Sequence, residues 1–361
     1  MNEKEIIQIL SQVPDPRTGR PITDQTKLLD LKIDATHISF KMVYSNWTPE
    51  MKTSVYASSM QVLQATLGVD LDVHIHFVQE DAARGSDSPY PHIKNIIAVA
   101  SGKGGVGKST VSVNLALALR KKGAKVGIMD ADLYGPSIPT MLGLQGKRPK
   151  MQDLHGNPKL LPLEAHGLFA ISIGFIVEPE QAIVLRGPRL GGIIKQFMND
   201  VLWPELDYLV IDLPPGTGDI QLTLVQTVPI TGVVIVTTPQ EVAVIDAIKA
   251  ANMFMLPQID VPILGIVENM SWFTPAELPH NRYFIFGEGG GEQLAKLCDT
   301  KLLGKIPLVM GVREGGDHGI PAMAQDENHA QSFFNDITDQ FVMQLNKRNQ
   351  DLAPSKTVQI Q

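Results

Sequence analysis

The sequence predicts an α/β protein: a doubly wound, mostly parallel sheet preceded by a small α/β module. Two observations carry this. From Ile93 onward, short apolar runs rich in β-branched residues alternate with helical patterns. Strands of a parallel sheet are buried on both faces and read as continuous apolar runs. Before about residue 85, the strand-like segments alternate apolar and polar residues instead, as a half-covered sheet does.

The elements follow in order. "THISFKMVY" alternates and is rich in strand formers. "EMKTSVYASSMQVLQATLG" has helical spacing through Met51, Val55, Met60, Val62, Leu63 and Leu67, with Gly68 as its C-terminal cap. "DVHIHFVQ" alternates again, which makes a compact β-α-β module of residues 1–80. "EDAARGSDSPYPH" is rich in turn formers and predicts a linker over 81–92. The main domain spans 93–347. Its strands are "NIIAVASG", "KVGIMDAD", "LFAISIG", "YLVIDLP", "GVVIVTTP", "ILGIVENM" and "LLGKIPL", with helices such as "KSTVSVNLALALRKKG" and "EVAVIDAIKAANMFML" between them. A polar tail occupies 348–361.

Composition narrows the function classes. The chain has 361 residues, 43% apolar and 19% charged, enough for a buried core in roughly two domains. The formal net charge of −7 argues against a general nucleic-acid or anionic-membrane surface. A single cysteine, Cys298, rules out an internal disulfide and favours a reducing compartment. "MNEKEIIQIL" has no apolar signal core, no run approaches the ~20 residues of a membrane span, and the tail is a poor membrane-surface helix. The expectation is a cytoplasmic protein.

The chemistry begins at "ASGKGGVGKST". Gly102, four residues, Gly107, Lys108 and Ser109 fit G-x-x-x-x-G-K-[ST], with a strand leading in and a helix leading out. Glycines let the backbone curl toward an anion, and the freed N–H groups and helix N-terminus point at phosphate oxygens. The expected phosphate contacts run through Gly102, Lys103, Gly104, Gly105, Val106, Gly107, Lys108, Ser109 and Thr110. Lys108 is placed to hold the β- and γ-phosphates of ATP, and the Ser109 hydroxyl to ligate Mg²⁺. "YLVIDLPPG" sets Asp212 at a strand end, where an aspartate supports the magnesium shell, and Gly216 within reach of the γ-phosphate. "VGIMDADLYGPS" sets Asp130 and Asp132 at another strand end. Each aspartate also has the plainer reading of a turn or helix-cap residue.

One residue exceeds the needs of a phosphate loop. Lys103 lies inside it, five positions before Lys108. Here the sequence resembles a known group: "KGGVGKST" is similar to the deviant Walker A of MinD, ParA, the nitrogenase iron protein and the Mrp/ApbC iron–sulfur carriers. "DADLYGPSIP", "LPPGTGD", "TTPQEVA", "ENMS" and "GKIPL…REGGDHGIP" follow in the order of the Mrp/ApbC carriers, from Ala100 to about Pro321. The N-terminal module, with "DPRTGRPI", resembles the small domain of iron–sulfur assembly proteins. The resemblance implies a nucleotide-sandwich homodimer in which Lys103 reaches the partner's phosphates. It also implies that Asp132 orients the attacking water, that Asn269 contacts the adenine, and that polar groups of "GKIPLVMGVREGG" line the base. The implied function is ATP-driven carriage of iron–sulfur clusters to apoproteins, with apoprotein clients or cluster-assembly proteins as partners, and no nucleic acid or membrane.

The sequence departs from that family at the cargo site. The carriers place a C-x-x-C pair between "ENMS" and the following "FG", so that two chains offer four thiolates to a [4Fe–4S] cluster. Here the stretch is "ENMSWFTPAELPHNRYFIFG", without cysteine. Cys298 reads as a small packing residue of a helix. Glu277 and His280 in the altered stretch, and His74 and His76 at a spacing of two on one strand face, are further ligand candidates with plainer solvated readings. Two rivals stand beside the carrier. One is a nucleotide-switched adaptor of cluster assembly that holds no cluster. The other is a ParA/MinD-like positioning ATPase, for which no amphipathic tail or basic surface is found.

Overall fold

Two separate hydrophobic cores organise the chain. The computed structural model describes residues 3–16, 19–33, 37–44, 47–67, 72–79, 88–132, 135–154, 156–176 and 187–358, and the chain divides into units Met1–Ala83 and Arg84–Gln361.

The first unit runs α1 (Glu3–Leu10), α2 (Ile22–Gln25), β1 (Lys27–Ile33), β2 (His37–Tyr44), α3 (Pro49–Leu67) and β3 (Asp72–Gln79). Its sheet has the order β1-β2-β3, antiparallel between β1 and β2 and parallel between β2 and β3. Alternation sends Ile38, Phe40, Met42, Val73 and Ile75 to one face, where Ile6 and Leu10 of α1 and Val55 and Leu63 of α3 cover them. The expected β-α-β module is present, and the structure adds α1, α2 and β1 to it. The register of β1 shifts between Leu29 and Lys32, which breaks the period-two pattern that would have announced a strand. The Gly68 cap and residues 81–87 of the expected linker lie outside the described residues. The remainder of that stretch is tied down: Tyr90 is buried in the second unit's core and its hydroxyl donates to Asn199 Oδ1 at 3.2 Å.

The second unit continues with β4 (Ile93–Ala100), α4 (Lys108–Lys121), β5 (Val126–Asp130), α5 (Ile138–Met141), β6 (Met151–Leu154), β7 (Asn157–Leu160), β8 (Leu163–Ala165) and β9 (Leu168–Ser172). Then come α6 (Gly187–Asp200), β10 (Leu206–Asp212), α7 (Asp219–Thr227), β11 (Gly232–Thr237), α8 (Glu241–Met255), β12 (Ile263–Glu268), α9 (Gly290–Leu297), β13 (Leu302–Lys305), α10 (Met310–Asp317) and α11 (Gln331–Asp351). The eight-stranded sheet has the order β13-β12-β11-β4-β10-β5-β9-β8, parallel throughout except for β8 against β9. All the strands predicted after Ile93 are in it. The short pieces β6, β7 and β8 are additions, and β6 is exposed along its length, so no apolar run marks it. The last helix reaches Asp351, beyond the expected start of the tail, and Val358 N–H still donates to the Val225 carbonyl at 3.0 Å.

The topology positions the site. β4 is central, with β10 on one side and β11 on the other. In register, Asp212 at the end of β10 stands opposite both Val99 of β4 and Asp130 of β5. The phosphate loop and both strand-end aspartates therefore emerge at one sheet edge, where ligands of open α/β sheets gather.

Candidate functional site

The loop leaves β4 after Ala100 and enters α4 at Lys108. Gly107 sits at the helix N-cap in the left-handed region, φ 82°, and no side chain caps the helix. A β-carbon there would strike the Asn269 amide, and one at Gly102 would strike the Asp246–Ala247 peptide of α8. Glycine is thus required at both places by close approach. The result is a tight turn at the N-terminus of α4, the end at which a helix leaves its first backbone N–H groups without intrahelical partners and favours an anion. That helix is anchored beneath by Val111, Val113, Leu115, Leu117 and Leu119, all buried.

Charged groups converge on this turn. Lys108 Nζ lies 2.9 Å from Asp212 Oδ2 and 3.8 Å from Asp132 Oδ2, and it donates to Ser109 Oγ at 3.2 Å. Asp212 is fully buried and accepts hydroxyl hydrogen bonds from Ser109 and Ser112, each at 2.6 Å. Asp130 is its buried neighbour across the strands. It accepts from Ser172 Oγ at 3.0 Å, from the Asp132 N–H at 3.1 Å and from the Ile138 N–H at 3.3 Å. Burial, and then the charge of Asp212, push the Asp130 carboxyl up to about 8.

The other expected residues fall into place unevenly. Lys103 and Gly104 are exposed, and among the described residues Lys103 has no ion-pair partner. Gly105 has φ 79°, Val106 is buried, and Thr110 is half-buried with its carbonyl accepting from Asn114 Nδ2 at 2.8 Å. The Gly216 N–H donates to the Ser101 carbonyl at 2.9 Å, so it closes the loop rather than facing outward. Asn269 is buried, and its Nδ2 donates to the Val106 carbonyl at 2.9 Å, bracing the phosphate loop from below.

Sequence reasoning placed Asp130 at a strand end without a role and passed over three further supporting residues, Ser112, Asn114 and Gln221. Asp130 and Ser112 complete the carboxylate cluster, and Asn114 ties α4 to the Met323 N–H at 2.9 Å. Gln221 spans the Pro214 and Gly216 carbonyls through Nε2, leaving its buried Oε1 without a partner. The pair of aspartates two apart at a strand end was the available signal for Asp130.

At the altered stretch, Phe273 and Tyr283 exchange backbone hydrogen bonds of 2.9 Å and close a hairpin, with Arg282 over the Trp272 ring at 4.5 Å. Glu277 and His280 lie exposed at its tip. Cys298 is buried at the end of α9 in the main core, and burial raises its thiol above the usual range. His74 and His76 share the exposed face of β3. No helix among the described residues is long and apolar enough to cross a membrane.

A strand–glycine loop–helix with a lysine, a hydroxyl and strand-end aspartates, set on a parallel sheet, defines a P-loop nucleoside-triphosphatase fold. The chain belongs to the family described as the NUBPL iron-transfer P-loop NTPases, whose model matches residues 92–342. A second model, described as an iron-sulfur cluster assembly protein, matches residues 3–71. An iron-sulfur cluster carrier protein of Synechocystis is 43% identical over 328 residues, 90% of this chain and 92% of that relative. One from Escherichia coli K12 is 51% identical over 254 residues, 70% of this chain and 67% of the relative. Among solved structures, a nucleotide-binding protein of Archaeoglobus fulgidus in complex with ADP shares 39% identity with a TM-score of 0.58, covering 68% of this chain and 93% of its own. The septum site-determining protein MinD of Pyrococcus horikoshii, at 23% identity and a TM-score of 0.51 over 72% of this chain and 99% of its own, shares the fold.

Proposed function

We propose that this protein hydrolyses Mg-ATP as a nucleotide-sandwich homodimer in the cytoplasm and uses the cycle to carry iron–sulfur clusters to apoproteins. The observation that carries the ATPase reading is the cluster of Lys108, Ser109, Asp212 and Asp132 at the mouth of a glycine-turned loop. Ser109 Oγ and Asp212 Oδ2, oxygen donors 2.6 Å apart, suit a hard cation such as Mg²⁺. When bound there, Mg²⁺ neutralises charge developing on the β- and γ-phosphate oxygens.

The rest is done by the chain. The loop amides and the α4 N-terminus hold the phosphates, and Lys108 exchanges its Asp212 partner for a phosphate oxygen. Asp132, 3.8 Å from Lys108, is at the right edge of the cluster to orient a water. Lys103, exposed and without an ion-pair partner among the described residues, is available to the phosphates of a second copy. The named relatives are cluster carriers, which supports the cargo.

One observation favours a second reading, the nucleotide-switched adaptor. A [4Fe–4S] cluster is ordinarily held by four thiolates. Two copies of this chain supply two, both from Cys298, which packs in the core. Phosphate release by the full chain, expected to require Mg²⁺ and to fall sharply in Asp132→Asn, tests the ATPase. Anaerobic reconstitution with iron and sulfide, beside Cys298→Ala, tests the cargo. About four irons per dimer would support the carrier. ATP turnover without bound iron would transfer the function to the adaptor.

A further inference from the structure

The exposed face of the small unit's sheet gathers three side chains that bind metals. β2 and β3 run parallel in register, so His37 stands opposite Asp72, and Ser39 opposite His74. Alternation turns these residues away from that unit's core, which takes Ile38, Phe40, Val73 and Ile75. The Asp72 carboxylate lies between two imidazoles. Its Oδ2 is 3.0 Å from His37 Nδ1 and its Oδ1 is 3.2 Å from His74 Nε2. The two rings are 5.2 Å apart at 42°, neither stacked nor sealed together. One ligand atom from each of the three residues falls within 4.8 Å of the others.

We propose that His37, Asp72 and His74 form a site for a first-row divalent transition ion of the Zn²⁺ type, with water completing the coordination shell. Two imidazole nitrogens and one carboxylate oxygen are the donor set such ions take, and imidazole discriminates against Mg²⁺ and Ca²⁺. Metal–ligand bonds near 2.0–2.2 Å require the three donors to stand about 3–3.5 Å apart, so only a small closure is needed. The side chains are 37%, 66% and 55% exposed for His37, Asp72 and His74, which leaves them room for it. His76 is one step further along the strand and stands opposite Lys41, outside the cluster. Three protein ligands and open positions make an exchangeable site, accessible to solvent. It uses neither the phosphate loop nor Cys298.

The test is a titration of the untagged full chain with Co²⁺, in excess Mg²⁺ and without nucleotide. Visible absorption reports nitrogen and oxygen coordination, and calorimetry reports stoichiometry. One Co²⁺ per chain is expected, displaced by Zn²⁺ and not by Mg²⁺. Removing a ligand costs at least what loss of an outer-shell partner does, so His37→Gln and His74→Gln should each weaken binding by about 10–100-fold. The double variant should abolish the band, while His76→Gln should leave it, with circular dichroism confirming the fold in each. No saturable Co²⁺ binding, binding that survives the double variant, or a band lost in His76→Gln would each overturn the assignment.

Discussion

Single residues at the sheet edge carry the sharpest consequences. Lys103 is exposed in a loop whose other lysine already serves Asp212 and Asp132. A cation supplied across a dimer to a transferring phosphoryl group is worth ~10³–10⁵ in rate. Lys103→Ala should therefore cut ATP turnover by about 10³-fold or more in steady-state phosphate release, while each chain still binds nucleotide through Lys108. Unchanged turnover would leave Lys103 a solvated loop residue. Asp130 carries a pH signature. Its carboxyl is raised to about 8 from 3.8. Between those values the folded chain holds a proton that the unfolded chain releases. The stabilising contribution is therefore complete below about 4 and is lost as pH rises toward 8. Asp130→Asn keeps the shape and cannot ionise. Its urea midpoint relative to the parent should rise from pH 5 to pH 8, measured without added divalent cation. A difference independent of pH would show that Asp130 is not the proton-holding group.

Elements decide how much of this was legible. The strands after Ile93 were readable because burial on both faces leaves an unbroken β-branched run, as in "YLVID" and "GVVIVT". β1 and the β6–β7 hairpin were not, the first because a register shift breaks its alternation, the second because β6 is exposed throughout. The loop lysine and Ser109 were legible from spacing, whereas the pairing of Asp130 with Asp212 depends on which strand inserts between β4 and β5, and no local pattern encodes that. The His37–Asp72 contact likewise needs the β2–β3 register, 35 residues apart. Glu268 is a further case. It reads as part of "VENM", yet it is buried at the end of β12 and accepts the Gly291 N–H of α9 at 2.6 Å. Its carboxylate meets the positive end of that helix's dipole, and Lys305 lies 3.9 Å away. Glu268→Ala would leave a buried N–H without its partner, at a cost of ~1–3 kcal/mol. Glu268→Gln, which keeps an acceptor oxygen, should lose less. Urea unfolding should rank them in that order, and equal losses would show that side-chain packing alone holds α9.

At the scale of the whole molecule, the two cores share no residue. Ile38, Phe40 and Leu63 belong to the first, and the sheet of β4 and its neighbours to the second. Units with cores of their own unfold as separate cooperative bodies, and a single two-state transition is not expected of such a chain. The phosphate loop lies wholly within the second unit. A nucleotide that binds the folded site stabilises only the body that contains it, by about 2.7 kcal/mol at a hundredfold excess over Kd. Calorimetric unfolding should therefore show two transitions, of which Mg-ADP raises one. Ile38→Val, a deletion of one buried methyl costing ~0.5–1.5 kcal/mol, should lower the other and leave the nucleotide-sensitive transition in place. A single transition that responds to both perturbations would mean that the units unfold as one body, and that nucleotide bound at the loop also stabilises the sheet that carries His37 and His74.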